Sequence, residues 1–222
     1  MDIACYVFEG ITALDIVGPY EVLARLPGAD VRVVGEKQGP IRTDNQVLGI
    51  VADYARSEIT SADVLVVPGG FATRNLEGDT ALLEWIRAID ATSTWTTSVC
   101  TGSMLLAAAG LLEGKLATTH WASLERLREY GAVPTTERVV EQGKYVTAAG
   151  VSSGIDMALT LAARIAGDDV AQAIQLSIEY DPQPPFDSGS VAKASGPVLE
   201  LVSAAIAQRQ REVSGERTQP AS

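Results

Sequence analysis

In the stretch Trp95-Thr96-Thr97-Ser98-Val99-Cys100-Thr101-Gly102-Ser103-Met104-Leu105-Leu106, an apolar strand runs straight into a cysteine, and small residues then open a segment rich in Ala and Leu. That succession reads as strand, sharp turn and helix. A side chain at such a turn is exposed at the end of a sheet and meets the positive end of the helix, where a thiolate is stabilised. Backbone N–H groups there can also hold an oxyanion. The same layout fits an inert cysteine that closes a core strand, since free cysteines are commonly buried.

Working outward, Ile3 to Phe8, Val31 to Val34, Val64 to Val67 and Val146 to Ala148 are further short apolar runs with turn residues at their ends, as expected of strands buried on both faces. Between them, Leu14, Val17, Val22, Leu23 and Leu26, and then Leu82, Leu83, Ile86 and Ile89, repeat at helical spacing. Strand alternating with helix predicts an α/β fold, a mostly parallel sheet covered on both faces. Gln46 to Tyr54 reads as a strand or ribbon in a side excursion. A broadly buried helix follows from Ile155 to Ile165, stopped by Gly167, and another from Val170 to Tyr180. Pro182, Pro184 and Pro185 then forbid helix, and Val198, Leu201, Val202, Ala205 and Ile206 mark an amphipathic last one. The pattern predicts one domain over residues 1–207 and a polar, fraying tail over 208–222.

Charge narrows the function classes. The 222 residues carry 17 Lys+Arg against 28 Asp+Glu, a net charge of −11, and no window gathers a basic patch. Such a chain repels nucleic acid and anionic membranes. The apolar stretch after Cys100 stops at Glu113, short of the roughly 20 residues that span a bilayer. Cys5 and Cys100 are too few for a disulfide framework, which favours a reducing compartment, and the start of the chain has no basic, long apolar leader. A cytoplasmic location is expected.

Three further features could join Cys100. Pro68-Gly69-Gly70 ends a strand with paired glycines, which either let backbone amides approach a ligand or simply terminate the strand. Asp15 is the lone charge in Ile11 to Pro19. It either caps a helical turn or points into a site, where burial beside a thiol would favour a protonated carboxyl. His120 is the only histidine, and a thiol nucleophile often needs such a base, but a structural histidine near the site is the favoured reading. One His and two separated Cys offer no familiar metal spacing, and no phosphate-binding loop occurs, so neither metal binding nor phosphoryl transfer is expected.

Together, Leu14-Asp15 with Gly18-Pro19-Tyr20-Glu21-Val22-Leu23, Pro68-Gly69-Gly70, Val99-Cys100-Thr101-Gly102, Thr118-Thr119-His120-Trp121, Ala149 to Asp156 and Glu179 to Asp187 resemble the DJ-1/PfpI superfamily, most of all its isonitrile hydratase branch. The resemblance implies a doubly wound, flavodoxin-like sheet of the class I glutamine amidotransferase type. It implies Cys100 as nucleophile, Asp15 as the acidic residue beside it and Thr101 as the residue after it, where peptidase-like members carry histidine. It further implies backbone donors at Gly70 and Thr101, and a substrate pocket drawing on Ile16, His120, Trp121, Val151 and Ile155. The implied reaction is hydration of an isonitrile to an N-substituted formamide by a cofactor-free homodimer.

The same resemblance admits rivals. Related proteins act on glyoxals with the same cysteine, although Asp15 and Thr101 argue against that use here. Very similar domains form the sensor half of AraC-type regulators, but the 36 residues after Phe186 are too few for a DNA-binding helix-turn-helix pair and the acidic charge disfavours one. An elbow thiolate could also serve as a redox sensor.

Overall fold

A computed structural model describes residues 1–213 and Gly215. Two compact units divide the chain, Met1–Glu179 and Tyr180–Ser222.

The first unit runs β1 (Asp2–Tyr6), α1 (Ala13–Leu23), β2 (Asp30–Gly35), β3 (Gly39–Arg42), β4 (Gly49–Ala52), β5 (Tyr54–Ala55), β6 (Val64–Val67), α2 (Thr73–Leu76), α3 (Thr80–Thr92), β7 (Trp95–Val99), α4 (Gly102–Ala108), β8 (Leu116–Ala117), β9 (Val133–Pro134), β10 (Val139–Gln142), β11 (Tyr145–Ala148), α5 (Ser153–Ala166) and α6 (Asp168–Ser177). A 3-10 helix, Trp121–Tyr130, follows His120.

Seven strands form one sheet in the order β10-β11-β7-β6-β1-β2-β5. All pair in parallel except β10, which lies antiparallel on β11. Both faces of the inner strands are covered: Val64, Leu65, Val66 and Val67 of β6 are all fully buried, as are Thr96, Thr97 and Ser98 of β7. From β1 the chain steps to β2 on one side and later to β6 and β7 on the other. With right-handed crossovers, that reversal puts α1 on one face and α3 on the other. It also opens a crevice at the carboxyl ends of β1 and β6, where ligands bind in sheets of this kind.

Local chemistry sets the helices. Asp79 caps α3 by accepting the Leu82 N–H at 3.0 Å, and Leu82, Leu83, Ile86 and Ile89 fill its inner face. Gly18 lets α1 approach α5 closely, since a Cβ there would stand 3.0 Å from Ile155 Cγ1. Within the expected excursion, Gln46 to Tyr54, β4 forms a strand, and it pairs antiparallel with β3, which precedes that segment, with Ile41 opposite Ile50.

Some boundaries differ from expectation. The helix expected to reach Tyr180 ends at Ser177. The second unit begins at Tyr180 and contains α7 (Gly196–Val213), which continues through the first residues of the expected tail; 214 and 216–222 lie outside the described residues. Among the described residues no helix is long and apolar enough to cross a membrane.

Candidate active site

The elbow is real and strained. Cys100 directly follows β7 with φ of 55°, a left-handed conformation that side chains rarely adopt. Its N–H reaches the Ala148 and Ala149 carbonyls at 3.1 and 3.0 Å, and its own carbonyl accepts from Ser103 Oγ at 3.0 Å and Thr119 Oγ1 at 2.8 Å. Strain of about 1–3 kcal/mol persists only where the surroundings over-determine it, as these bonds do. Gly102 makes the turn possible, because a Cβ there would lie 2.1 Å from the Val67 carbonyl oxygen.

Asp15 meets the cysteine from the other side of the crevice. It belongs to the first turn of α1 and is fully buried. Its Oδ2 accepts the Gly69 N–H at 2.9 Å, a residue far away in sequence, so it does not cap its own helix. The Cys100 thiol lies close enough to act on the carboxyl, and Oδ1 has no hydrogen-bond partner among the described residues. Gly69 is obligatory here: a Cβ would come within 2.5 Å of Thr101 N and 2.8 Å of Asp15 Oδ2.

Burial dominates the electrostatics. It pushes the Asp15 carboxyl up to about 7, against the Gly69 N–H and the Cys100 thiol, which lower it, while the Asp44 charge raises it further. Burial likewise holds the Cys100 thiol far above its ordinary range, with Asp15 adding to the rise and the N–H groups of Val151 and Thr101 opposing it. Burial thus favours the protonated form of both groups, and the N–H groups of Val151 and Thr101 are what favours a thiolate against it.

Thr101 and Gly70 are tied to each other. The Gly70 N–H donates to Thr101 Oγ1 at 3.0 Å, and the Thr101 hydroxyl donates to the Gly70 carbonyl at 3.1 Å. The Gly70 amide, expected as a backbone donor to the nucleophile, is thus engaged elsewhere. The N–H groups that favour the ionised sulfur are those of Val151, placed by the sequence in the substrate pocket, and Thr101.

The other pocket residues divide. His120 stands beside the site: its Nδ1 accepts the Ala122 N–H at 3.3 Å, and its Cδ2 would be 2.8 Å from a Cβ at Gly150. Burial lowers its pKa, which keeps the ring neutral with its proton on Nε2. Trp121 pairs with that ring at 5.4 Å between centroids but is 36% exposed. Ile16 lines a cavity of about 220 Å³ with Cys5, Val17, Tyr20, Glu21, Val33 and Ile50. Ile155 packs against Gly18 of α1. Asp44 was not anticipated. It accepts from Thr12 Oγ1 at 2.9 Å just outside Asp15, at the loop after β3.

A strained cysteine elbow facing a buried carboxyl at the switch point of a parallel sheet defines a class, and the chain belongs to it: it matches the DJ-1/PfpI family over residues 1–164. Within that family it is similar to the isonitrile hydratase of Pseudomonas putida, 43% identical over 200 residues, which are 90% of this chain and 87% of the relative. A ThiJ/PfpI family protein from Pseudomonas syringae, known from its crystal structure, superposes with a TM-score of 0.90 at 35% identity, covering 96% of this chain and 89% of that one. The HTH-type transcriptional regulator CdhR of Pseudomonas aeruginosa is 32% identical over 67% of this chain, but over only 44% of the regulator.

Proposed function

We propose that the protein hydrates an isonitrile to an N-substituted formamide. The observation that carries the reading is the Asp15–Cys100 pair: a fully buried carboxyl, raised to about 7 by burial, stands beside the strained cysteine elbow, with its Oδ2 and the Thr101 N–H both against Gly69. Similarity to an isonitrile hydratase across most of both chains supports it.

The pair suits the proton balance of the reaction. Asp15 carboxylate takes the thiol proton as Cys100 sulfur attacks the terminal isonitrile carbon, then returns that proton to the same carbon. The S–C bond forms and R–N≡C becomes the thioimidate R–N=CH–S. Water adds to that carbon, its hydrogen going to nitrogen. The tetrahedral adduct then collapses: the C–S bond breaks, the hydroxyl proton returns to sulfur through Asp15, and R–NH–CHO leaves. The Val151 and Thr101 N–H groups hold negative charge on sulfur at both ends of the cycle. No step calls for a metal or an organic cofactor.

We further propose a homodimer working in the cytoplasm. Leu14, Val17 and Tyr20 form a partly exposed apolar stripe on α1 that a second copy would cover, and a free catalytic thiol is best kept in a reducing compartment. Light scattering at micromolar concentration is expected to give twice the chain mass.

Incubating the protein in parallel with cyclohexyl isonitrile and with methylglyoxal tests the reaction. Formamide from the first is expected. Turnover of methylglyoxal alone would move the assignment to glyoxal chemistry, and inertness towards both would leave a binding domain.

A further inference from the structure

The segment that carries His120 runs beside the one that carries Val151. Thr118 N–H donates to Thr147 Oγ1 at 3.0 Å, and Thr119 Oγ1 donates to the Cys100 carbonyl at 2.8 Å. The imidazole then meets Gly150 edge-on, filling the space a side chain would take there: a Cβ would stand 2.8 Å from Cδ2 and 3.5 Å from Nε2. The next residue, Val151, has φ of 39°, a strained value for a β-branched side chain; it packs against the small buried cluster that holds Cys100, and its N–H favours the ionised sulfur. Such strain needs something to hold it. On the far side, Ser153 N–H and Ser153 Oγ both donate to the Gly150 carbonyl at 3.2 Å. On the near side stands the ring, itself fixed by the Ala122 N–H on Nδ1.

We propose that His120 is a positioning residue: its ring edge presses on Gly150 and holds the Gly150–Val151 peptide so that the Val151 N–H points at Cys100 Sγ. The imidazole acts by shape and moves no proton. The consequence for turnover rests on the isonitrile reading, but the contact itself concerns only the thiol.

Two substitutions separate shape from chemistry. His120→Asn keeps a side-chain acceptor for the N–H two residues on, as asparagine does in Asx turns, but empties the space against Gly150. His120→Phe keeps a flat ring edge there and loses the acceptor and the proton. The readout is the rate of iodoacetamide alkylation of Cys100 across pH, followed by mass spectrometry of the full-length protein's peptides. The charged group facing the thiol is Asp15 from α1, with Asp44 outside it, and both are untouched in either variant. His120→Asn is expected to react about tenfold more slowly at pH 8, as loss of a hydrogen bond to a charged sulfur implies. His120→Phe should stay within about threefold of wild type. Thermal melting checks that each variant is folded, and His120→Ala, which empties the same space, must behave like His120→Asn if that protein is unstable. A wild-type profile in His120→Asn, or an equally slow His120→Phe, overturns the proposal. Because alkylation uses no isonitrile, this result stands apart from whether isonitrile is the substrate.

Discussion

Cys5 and Cys100 share almost everything a simple reactivity rule would consult. Both are free, both are buried, and both thiols are raised by burial, Cys5 to about 12. Their backbones differ. Cys5 lies within β1, in register with Val33 on one side and Val66 on the other, and burial is the only influence on its thiol. Cys100 ends its strand in a left-handed turn, and that turn brings it a carboxyl and two N–H donors. Burial is common to the inert and the reactive thiol, so reactivity here resides in the neighbours that a strained turn makes available.

The comparison can be broken in several ways. The largest effect is expected from Cys100→Ala, which should abolish formamide production while the fold persists; turnover equal to wild type would move the chemistry elsewhere. Next comes Asp15→Asn, expected to lower kcat by about 10²–10⁴-fold, the usual contribution of a positioned acid–base group. Since the carboxylate is the form that takes the thiol proton, wild-type kcat/KM should climb as pH rises through about 7, and the Asn variant should lack that limb.

Stability gives an opposite sign for the same residue. Asp15 has a folded-state pKa raised from 3.8 to about 7, so the folded protein holds that proton more tightly than the unfolded chain does. The stability this confers is complete below about pH 4 and is lost as pH rises through 7. Denaturant titrations at pH 5 and pH 8 should therefore find Asp15→Asn more stable than wild type at pH 8, by up to about 4 kcal/mol, and by less at pH 5. An equal gain at both pH values would mean the carboxyl is not buried as described. The smallest effect belongs to Cys5→Ala: unchanged kcat, with a stability loss of about 1 kcal/mol from enlarging the cavity that Cys5 lines.

The half of this contrast that depends on local pattern was legible in the sequence. Apolar runs that end in turns located β1, β2, β6, β7 and β11, and the run of Val99-Cys100-Thr101-Gly102 into an Ala/Leu-rich segment located the elbow, because strand, turn and helix signals act over a few neighbouring residues. The edge strand β10 was missed: Val139-Val140-Glu141-Gln142 is short and half polar, and its place depends on β11 beside it. Neighbouring motifs place a residue near a site but not the way its side chain faces: successive helical residues are about 100° apart, and Ile16, beside Asp15, lines a cavity with Cys5. The Gly70 amide turns to Thr101 Oγ1 and the Val151 amide acts on Cys100, because the direction of an amide is set by the dihedral angles around it, which residue names do not reveal.

Rapid-quench mass spectrometry tests the central claim most directly. Mixing excess cyclohexyl isonitrile with the protein and quenching within one turnover should add the mass of one isonitrile to the peptide that contains Cys100 and leave the Cys5 peptide unchanged. Formamide released at the wild-type rate by Cys100→Ala, with no adduct on either cysteine in the wild-type protein, would contradict it.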